Sequence, residues 1–289
     1  MSPITTRAAY ERGISRRRLY SASFRQLLHG VHVPADESVT IQTWDAAARL
    51  VLPDDAQPTG ITALQLAGLD LGQPLPLHFA TGSNARCERP EVRLHGYGPG
   101  EVTLSMALAE YCSAATLMDG VIVADRVMHL GIASPTEVAS MQHHSARQVR
   151  KVAQLARPGA ESPQETRTRL CLVLAGLPEP GLQIVVRDGG RFVGRFDMGY
   201  DDYGLLIEYE GDQHRSDKRQ WSADILREER ARQLGSTVVR ITGELFRDPW
   251  SQAIRVHQEL VRLGYRGPGP SRTPAWEHAF GSVRLRVVA

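Results

Sequence analysis

The chain has 289 residues and a formal net charge of only +2, with 42% apolar and 23% charged residues. These values fit about two globular domains, and the whole-chain charge does not imply a polyanion partner, so local charge has to be read instead. No stretch approaches the ~20 apolar residues of a membrane span, and no membrane partner is expected. Three cysteines, Cys87, Cys112 and Cys171, lie far apart and in no metal-ligand spacing. That pattern argues against a disulfide framework or a zinc site and for a reducing compartment. Residues Met1–Arg7 lack the apolar run of a signal peptide, so the expected location is cytoplasmic.

Residues 1–35 are basic and read as short helices followed by a hairpin. Thr5 or Thr6 caps a helix running to Arg12, and Gly13 ends it. Ser15 caps a second helix through Arg16, Arg17, Arg18, Leu19 and Tyr20. Leu27–Pro34 then reads as a wing, which gives the outline of a winged helix-turn-helix. Arg16, Arg17 and Arg18 are three consecutive cations placed to meet DNA phosphates; a solvated helix face is the competing reading.

Residues 36–155 form a mixed α/β middle region. Helices are expected over 44–52, 60–68, 104–112, 118–130 and 135–141, and strands over 75–81 and 92–96. No chemistry is visible there. His143 and His144 are adjacent, so a helix would not put them on one face. Residues 156–161 read as a linker.

The stretch 162–265 is the second predicted domain. Ser162 caps its first helix, Pro163 takes the first helical position and Glu165 closes a capping box. Strands follow at 182–187, 192–198 and 205–210, with Asp188-Gly189-Gly190 as a hairpin turn. A helix over 217–234 presents Trp221, Ile225 and Leu234 as its apolar side. A strand at 236–241 and a helix over 250–263 complete the order αβββαβα. Residues 266–289 read as a loose tail. The expected fold class is α+β in two domains.

The run Leu205-Leu206-Ile207-Glu208-Tyr209-Glu210 enters as a buried strand and ends in acids. Side chains alternate along a strand, so Glu208 and Glu210 share a face, with Cα atoms about 7 Å apart. A turn at Asp201–Gly204 brings Asp197 beside Glu208, and three carboxylates converge. Like charges about 4 Å apart repel by ~4 kcal/mol at an effective dielectric of ~20. Such a cluster takes up protons or holds a hard divalent cation such as Mg²⁺ or Mn²⁺. Solvated strand-end acids are the plainer reading. Arg227 and Arg230 give the 217–234 helix a basic side that can meet phosphates. Glu228 and Glu229 interrupt it, so a salt-bridged surface, with Asp224 pairing Arg227, is equally consistent.

In this order of elements the acidic cluster resembles the PD-(D/E)XK nuclease superfamily, with its restriction-endonuclease-like fold. Asp197 matches the first acid, Glu208 the second, and Glu210 stands where the family usually carries Lys. The string Ile207-Glu208-Tyr209-Glu210-Gly211-Asp212-Gln213-His214 is similar to the branch near very-short-patch repair endonucleases. So are Ser162–Arg169, Asp224–Arg227 and Val238–Arg240. Gly13–Leu19 and Gly30–Pro34 resemble the winged-helix region of AbiEi-type antitoxins. The resemblance implies a metal-dependent DNA endonuclease whose metal is held by Asp197, Glu208 and Glu210. It implies that Glu165 faces the metal from the first helix, besides its capping role. His214 becomes a candidate general base in place of the absent Lys, or an exposed loop histidine. DNA is the expected partner, bound through Arg16, Arg17, Arg18 and Arg227. Double-strand cutting with one site per chain would require a homodimer. The alternative is an antitoxin-like DNA-binding regulator with an inactive nuclease-like domain and a partner toxin.

Overall fold

Short polar residues open most of the helices, and glycines with positive φ close many of them. The computed structural model describes residues 2–96, 101–142, 146–210 and 218–281. In it, Thr5 Oγ1 accepts the Ala8 N–H and Ser15 Oγ accepts the Arg18 N–H. These caps start α1 (Thr6–Glu11) and α2 (Arg16–Leu19), with Gly13 at φ +78° between them. Strands β1 (Ile4–Thr5), β2 (Phe24–Leu28) and β3 (Val31–Pro34) form an antiparallel sheet in the order β1-β3-β2. Next, α3 (Ile41–Arg49) begins three residues before the predicted start, because Thr40 and Thr43 form a reciprocal capping box. Then come β4 (Gln57–Pro58), α4 (Gly60–Leu66), β5 (Leu77–Thr81) and β6 (Val92–Gly96). They include a second sheet, β4-β5-β6, with β5 and β6 parallel. The helices α5 (Leu104–Ala114), α6 (Leu117–His129), α7 (Pro135–Ala139) and α8 (Ala146–Leu155) follow. Helix α8 was not expected; it buries Val149 and Val152 among charged residues.

The chain divides into two compact units. One contains Met1–Thr116 and Ile132–Gln154, the other Leu117–Gly131 and Leu155–Ala289. The first unit has a shared core in which Leu28 and Val31 meet Phe79 and Val92.

The second unit starts with α6, which the sequence assigned to the middle region. It continues with α9 (Pro163–Leu174), β7 (Gly181–Asp188), β8 (Arg191–Tyr200) and β9 (Leu205–Glu210). Then come α10 (Lys218–Gln233), β10 (Thr237–Thr242), α11 (Pro249–Arg262) and α12 (Pro274–Phe280). From α9 to α11 the order is αβββαβα, as expected, and the whole chain is mixed α and β. The sheet runs β10-β9-β8-β7, with β10 and β9 parallel and the other pairs antiparallel. Asp188 pairs with Arg191 around Gly189 and Gly190, both at positive φ, as a primed two-residue turn requires. One cluster holds Met198, Leu205, Ile207 and residues of α9, α11 and α12. The other holds Phe196, Leu206 and Ala231 of α10. Leu234, expected on the apolar side of α10, is exposed instead, and Ala231 and Glu228 are buried.

Two segments depart from the expected linker and tail. Ala156 and Ala160 are buried, and the Arg157 N–H donates to Asp125 Oδ1 at 2.7 Å. The tail carries α12, opened by Thr273 as cap and Pro274 at the first helical position. Its Trp276 is buried and donates its indole N–H to the Cys171 carbonyl at 3.2 Å. Among the described residues no helix is long and apolar enough to cross a membrane.

The join between α6 and α9 is ionic. Arg169 and Asp125 are 0% and 1% exposed, and Arg169 Nη2 lies 2.8 Å from Asp125 Oδ2. Arg169 Nη1 also donates to the Leu155 carbonyl and to Glu179, and the Thr166 hydroxyl donates to Asp125. Removing one member of such a pair strands the other charge, at about 3–5 kcal/mol. Arg169→Met is therefore expected to lower unfolding free energy by about that amount in urea titration. The double variant Asp125→Leu/Arg169→Met should lose less than the two single losses combined. Single variants within about 0.5 kcal/mol of wild type would show that the pair does not hold α6.

Candidate functional site

The site lies where the β8–β9 ladder ends. Tyr200 pairs with Leu205, Gly199 with Leu206 and Met198 with Ile207 around the short 3-10 turn Asp201–Tyr203. Gly204 closes that turn at φ +59°. The predicted turn therefore forms and carries Asp197 toward Glu208. Beyond Met198 the regular pairing stops. Asp197 Oδ2 instead accepts the Tyr209 N–H at 2.7 Å. Period-two alternation would put Phe196 and Met198 on one face, yet Phe196 packs with Leu206 and Met198 with Ile207. The strand thus switches faces at Asp197. Across from it on β7, Gln183 has φ +54°, the one positive φ at a non-glycine residue among those described. Its flanking residues Leu182 and Ile184 pair normally with Met198 and Phe196. An amide residue held in the left-handed region marks stored strain, which concentrates at functional sites.

Gln183 Nε2 donates to Glu165 Oε2 at 3.1 Å, and the Glu161 N–H donates to the same oxygen at 2.9 Å. Ser162 caps α9 through the Glu165 N–H, and Pro163 holds the first helical position, as predicted. The Glu165 carboxylate reaches the residue before the cap, so the reciprocal capping box is not formed. Glu165 is buried.

Burial pushes the Asp197 carboxyl up to about 7. The neighbouring Glu165 and Glu208 charges add to this, while the Tyr209 N–H and Arg227 oppose it. Burial also raises Glu208, against the pull of Arg227. Arg227 Nη2 lies 2.6 and 2.7 Å from the two Glu208 oxygens, and Nη1 donates to the Arg195 carbonyl at 2.8 Å. The guanidinium lies 5.0 Å over the Phe196 ring, and Asp224 approaches it at 3.4 Å, the pairing the sequence suggested. Gly194 makes room for this arm. A Cβ there would stand 2.4 Å from Arg227 Cγ and Cδ.

The structure places Glu165 and Glu208 within electrostatic reach of Asp197. Glu210 turns to Arg240, 3.2 Å away, which also binds Glu228. Among the described residues no three His, Cys, Asp or Glu side chains are arranged as a metal-holding group. His214 lies outside the described residues. Arg227 is committed to Glu208 rather than open to a phosphate. The salt-bridged reading of the α10 surface holds for Glu228, which binds Arg232 and Arg240. Arg16, Arg17 and Arg18 are exposed on a four-residue helix.

Sequence reading missed Gln183, for which nothing in Leu182–Arg187 gave a signal. It also missed Gly194, although a glycine inside a strand is a sign of close approach. In the first unit it missed His78 Nδ1, 3.0 Å from His95 Nε2, with Glu110 3.4 Å from the other ring nitrogen of His95. Those two rings are stacked and spend a nitrogen each on one another.

No family model matches the chain, and no solved structure matches it. It is similar to uncharacterized proteins of Mycobacterium tuberculosis from strains CDC 1551 and H37Rv, each 31% identical over 109 residues. The match covers 37% of this chain, which spans 40% of the length of each relative.

The raised Asp197 carboxyl sets a pH dependence. Its folded value, about 7, lies above the ordinary 3.8, so the folded form holds the proton more tightly. That stability is complete below about pH 4 and is lost as pH rises through about 7. Asp197→Asn keeps an acceptor for Tyr209 and needs no proton. It should stabilise the protein by roughly 1–3 kcal/mol near pH 8 and by little near pH 4, read by urea unfolding. A gain that does not change with pH would contradict this. Gly194→Ala should cost roughly 1–3 kcal/mol by crowding Arg227, whereas a cost below about 0.5 kcal/mol would show that the arm moves freely.

Proposed function

We propose that the second unit is a metal-dependent DNA endonuclease domain of the restriction-endonuclease-like type. The carrying observation is Asp197, half-buried at a break in β8 within electrostatic reach of Glu165 and Glu208. The αβββαβα order and the sheet β10-β9-β8-β7, with only β9 and β10 parallel, support this reading. So does the resemblance of the acidic run to that superfamily. Three carboxylates suit a hard divalent cation, and burial together with the Glu165 and Glu208 charges raises the Asp197 carboxyl, which a bound cation would reverse. Asp197 and Glu165 would hold such an ion, and Glu208 would join them only if Arg227 released it. Mg²⁺ or Mn²⁺ would polarise the scissile phosphate and lower the pKa of an attacking water. Gln183 orients Glu165, and Glu210 lies in the outer shell through Arg240. His214 is the proposed proton acceptor or water-positioning group. Residues 1–35 hold DNA through Arg16, Arg17 and Arg18, in a protein that works in the cytoplasm. Double-strand cleavage would need two chains.

A second reading is an antitoxin-like DNA-binding regulator whose nuclease-like domain is inactive and which pairs with a toxin. The capture of Glu208 by Arg227 and of Glu210 by Arg240 favours it. Nicking of supercoiled plasmid with Mn²⁺ separates the two. The endonuclease reading expects conversion by wild type and none above background by Asp197→Asn, together with calorimetric Mn²⁺ binding that the variant loses. Equal nicking by both proteins would mean a contaminant, and absence of Mn²⁺ binding at millimolar concentration would sink the metal site.

A further inference from the structure

Phe192 and Leu226 are the most exposed large apolar side chains among the described residues, at 63% and 65%. They are distant in sequence, yet they line one cavity of about 590 Å³. Arg191, Arg227 and Arg230 line the same cavity, against a single carboxylate, Asp188. Asp188 is paired with Arg230 and Arg227 with Glu208, so the excess positive charge of the wall comes from Arg191. The hairpin carrying Phe192 is tightly built: Asp188 pairs with Arg191, and Arg187 donates to the Gly190 carbonyl at 3.1 Å. Arg227 is both a wall of this cavity and the partner of Glu208. The cavity therefore adjoins the acidic site.

An exposed aromatic ring among arginines is the combination that stacks a base and neutralises its phosphates. We propose that this cavity is a nucleotide subsite for the DNA strand next to the one phosphodiester group held at Asp197. A base stacks on Phe192, Leu226 forms the opposite apolar wall, and Arg191 takes a flanking phosphate. The inference rests on the endonuclease reading and names where on the domain the substrate strand lies. Charge complementarity selects this occupant. A second copy docked through the same patch would set arginines against arginines.

The test is fluorescence anisotropy of the full chain with a fluorescein-labelled DNA single strand and the matching duplex, without divalent metal. Phe192→Ala should weaken binding by about fivefold or more and leave the salt dependence unchanged, and Phe192→Trp should restore it. Arg191→Gln should weaken binding and reduce the slope of affinity against salt by roughly one phosphate contact. Wild-type affinity in both Phe192→Ala and Arg191→Gln would overturn the subsite and leave the endonuclease reading standing. A wild-type dimer that Phe192→Ala splits, seen by light scattering, would also overturn it, because the patch would then join two copies. Failure of the wild-type chain to bind either probe would remove the subsite and the DNA-directed reading together.

Discussion

Arg169 is fully shielded from solvent and meets Asp125 at 2.8 Å. Two charges taken out of water cost several kcal/mol each before their attraction offsets it, so such a pair adds little net stability over an apolar one. Its consequence is positional. The guanidinium must meet Asp125, the Leu155 carbonyl and Glu179 together, and Asp125 must also receive the Thr166 hydroxyl and the Arg157 N–H. Few rotations of α9 satisfy all of these. Glu165 sits one helical turn before Arg169, on the same side of α9, so the rotation that satisfies the pair also sets where Glu165 lies. The ion pair between α6 and α9 thereby determines the third acid of the site.

The site itself is built from local violations that the rest of the unit avoids. Gln183 adopts a glycine-like backbone, β8 switches faces at Asp197, and the Arg227 guanidinium is held by Glu208 and not, among the described residues, by Asp197 or Glu165. Each feature is unfavourable alone. Together they are held by ordinary elements: a primed turn at Gly189-Gly190, a capped α9 and an apolar β9. Consistent local signals surrounding an inconsistent centre are what a functional site looks like in a foldable sequence. Burial first, and the neighbouring Glu165 and Glu208 charges after it, make Asp197 hold its proton more tightly than in water.

The elements that were legible in the sequence are those specified within a few residues. Ser162-Pro163 announced α9, Asp188-Gly189-Gly190 announced its hairpin, and Gly204 closed the turn that carries Asp197 toward Glu208. What was not legible depends on distant partners. Asp125 is 44 residues from Arg169, so nothing near α6 revealed that it belongs to the second unit. Glu210 shares a strand face with Glu208, but its partner Arg240 is 30 residues on, and that contact draws it away. Arg227 read as a phosphate ligand because its helix is basic. Glu208 is 19 residues upstream, and only the fold puts the two together. The Pro- and Gly-rich stretch from 266 concealed α12, although Thr273-Pro274 carries the same cap-and-proline signature as Ser162-Pro163.

Arg227 is the residue on which the two functional readings divide. It is anchored by the Phe196 ring, the Arg195 carbonyl and the space left by Gly194, and none of these anchors is an acid. Its Nη2 carries the contact to Glu208, and its side chain also borders the Phe192 cavity. A side chain held along its stem can exchange the partner at its tip without losing its seat. For a nuclease, the guanidinium would leave Glu208 as positive charge arrives there and would meet a phosphate entering from the cavity side. For a regulator, the Glu208 pair is the end state and the acids serve only the fold. A half-buried Asp197 beside that pair, with no cation paired to it among the described residues, weighs toward the nuclease, because a purely structural site gains nothing from a carboxyl that burial pushes to about 7.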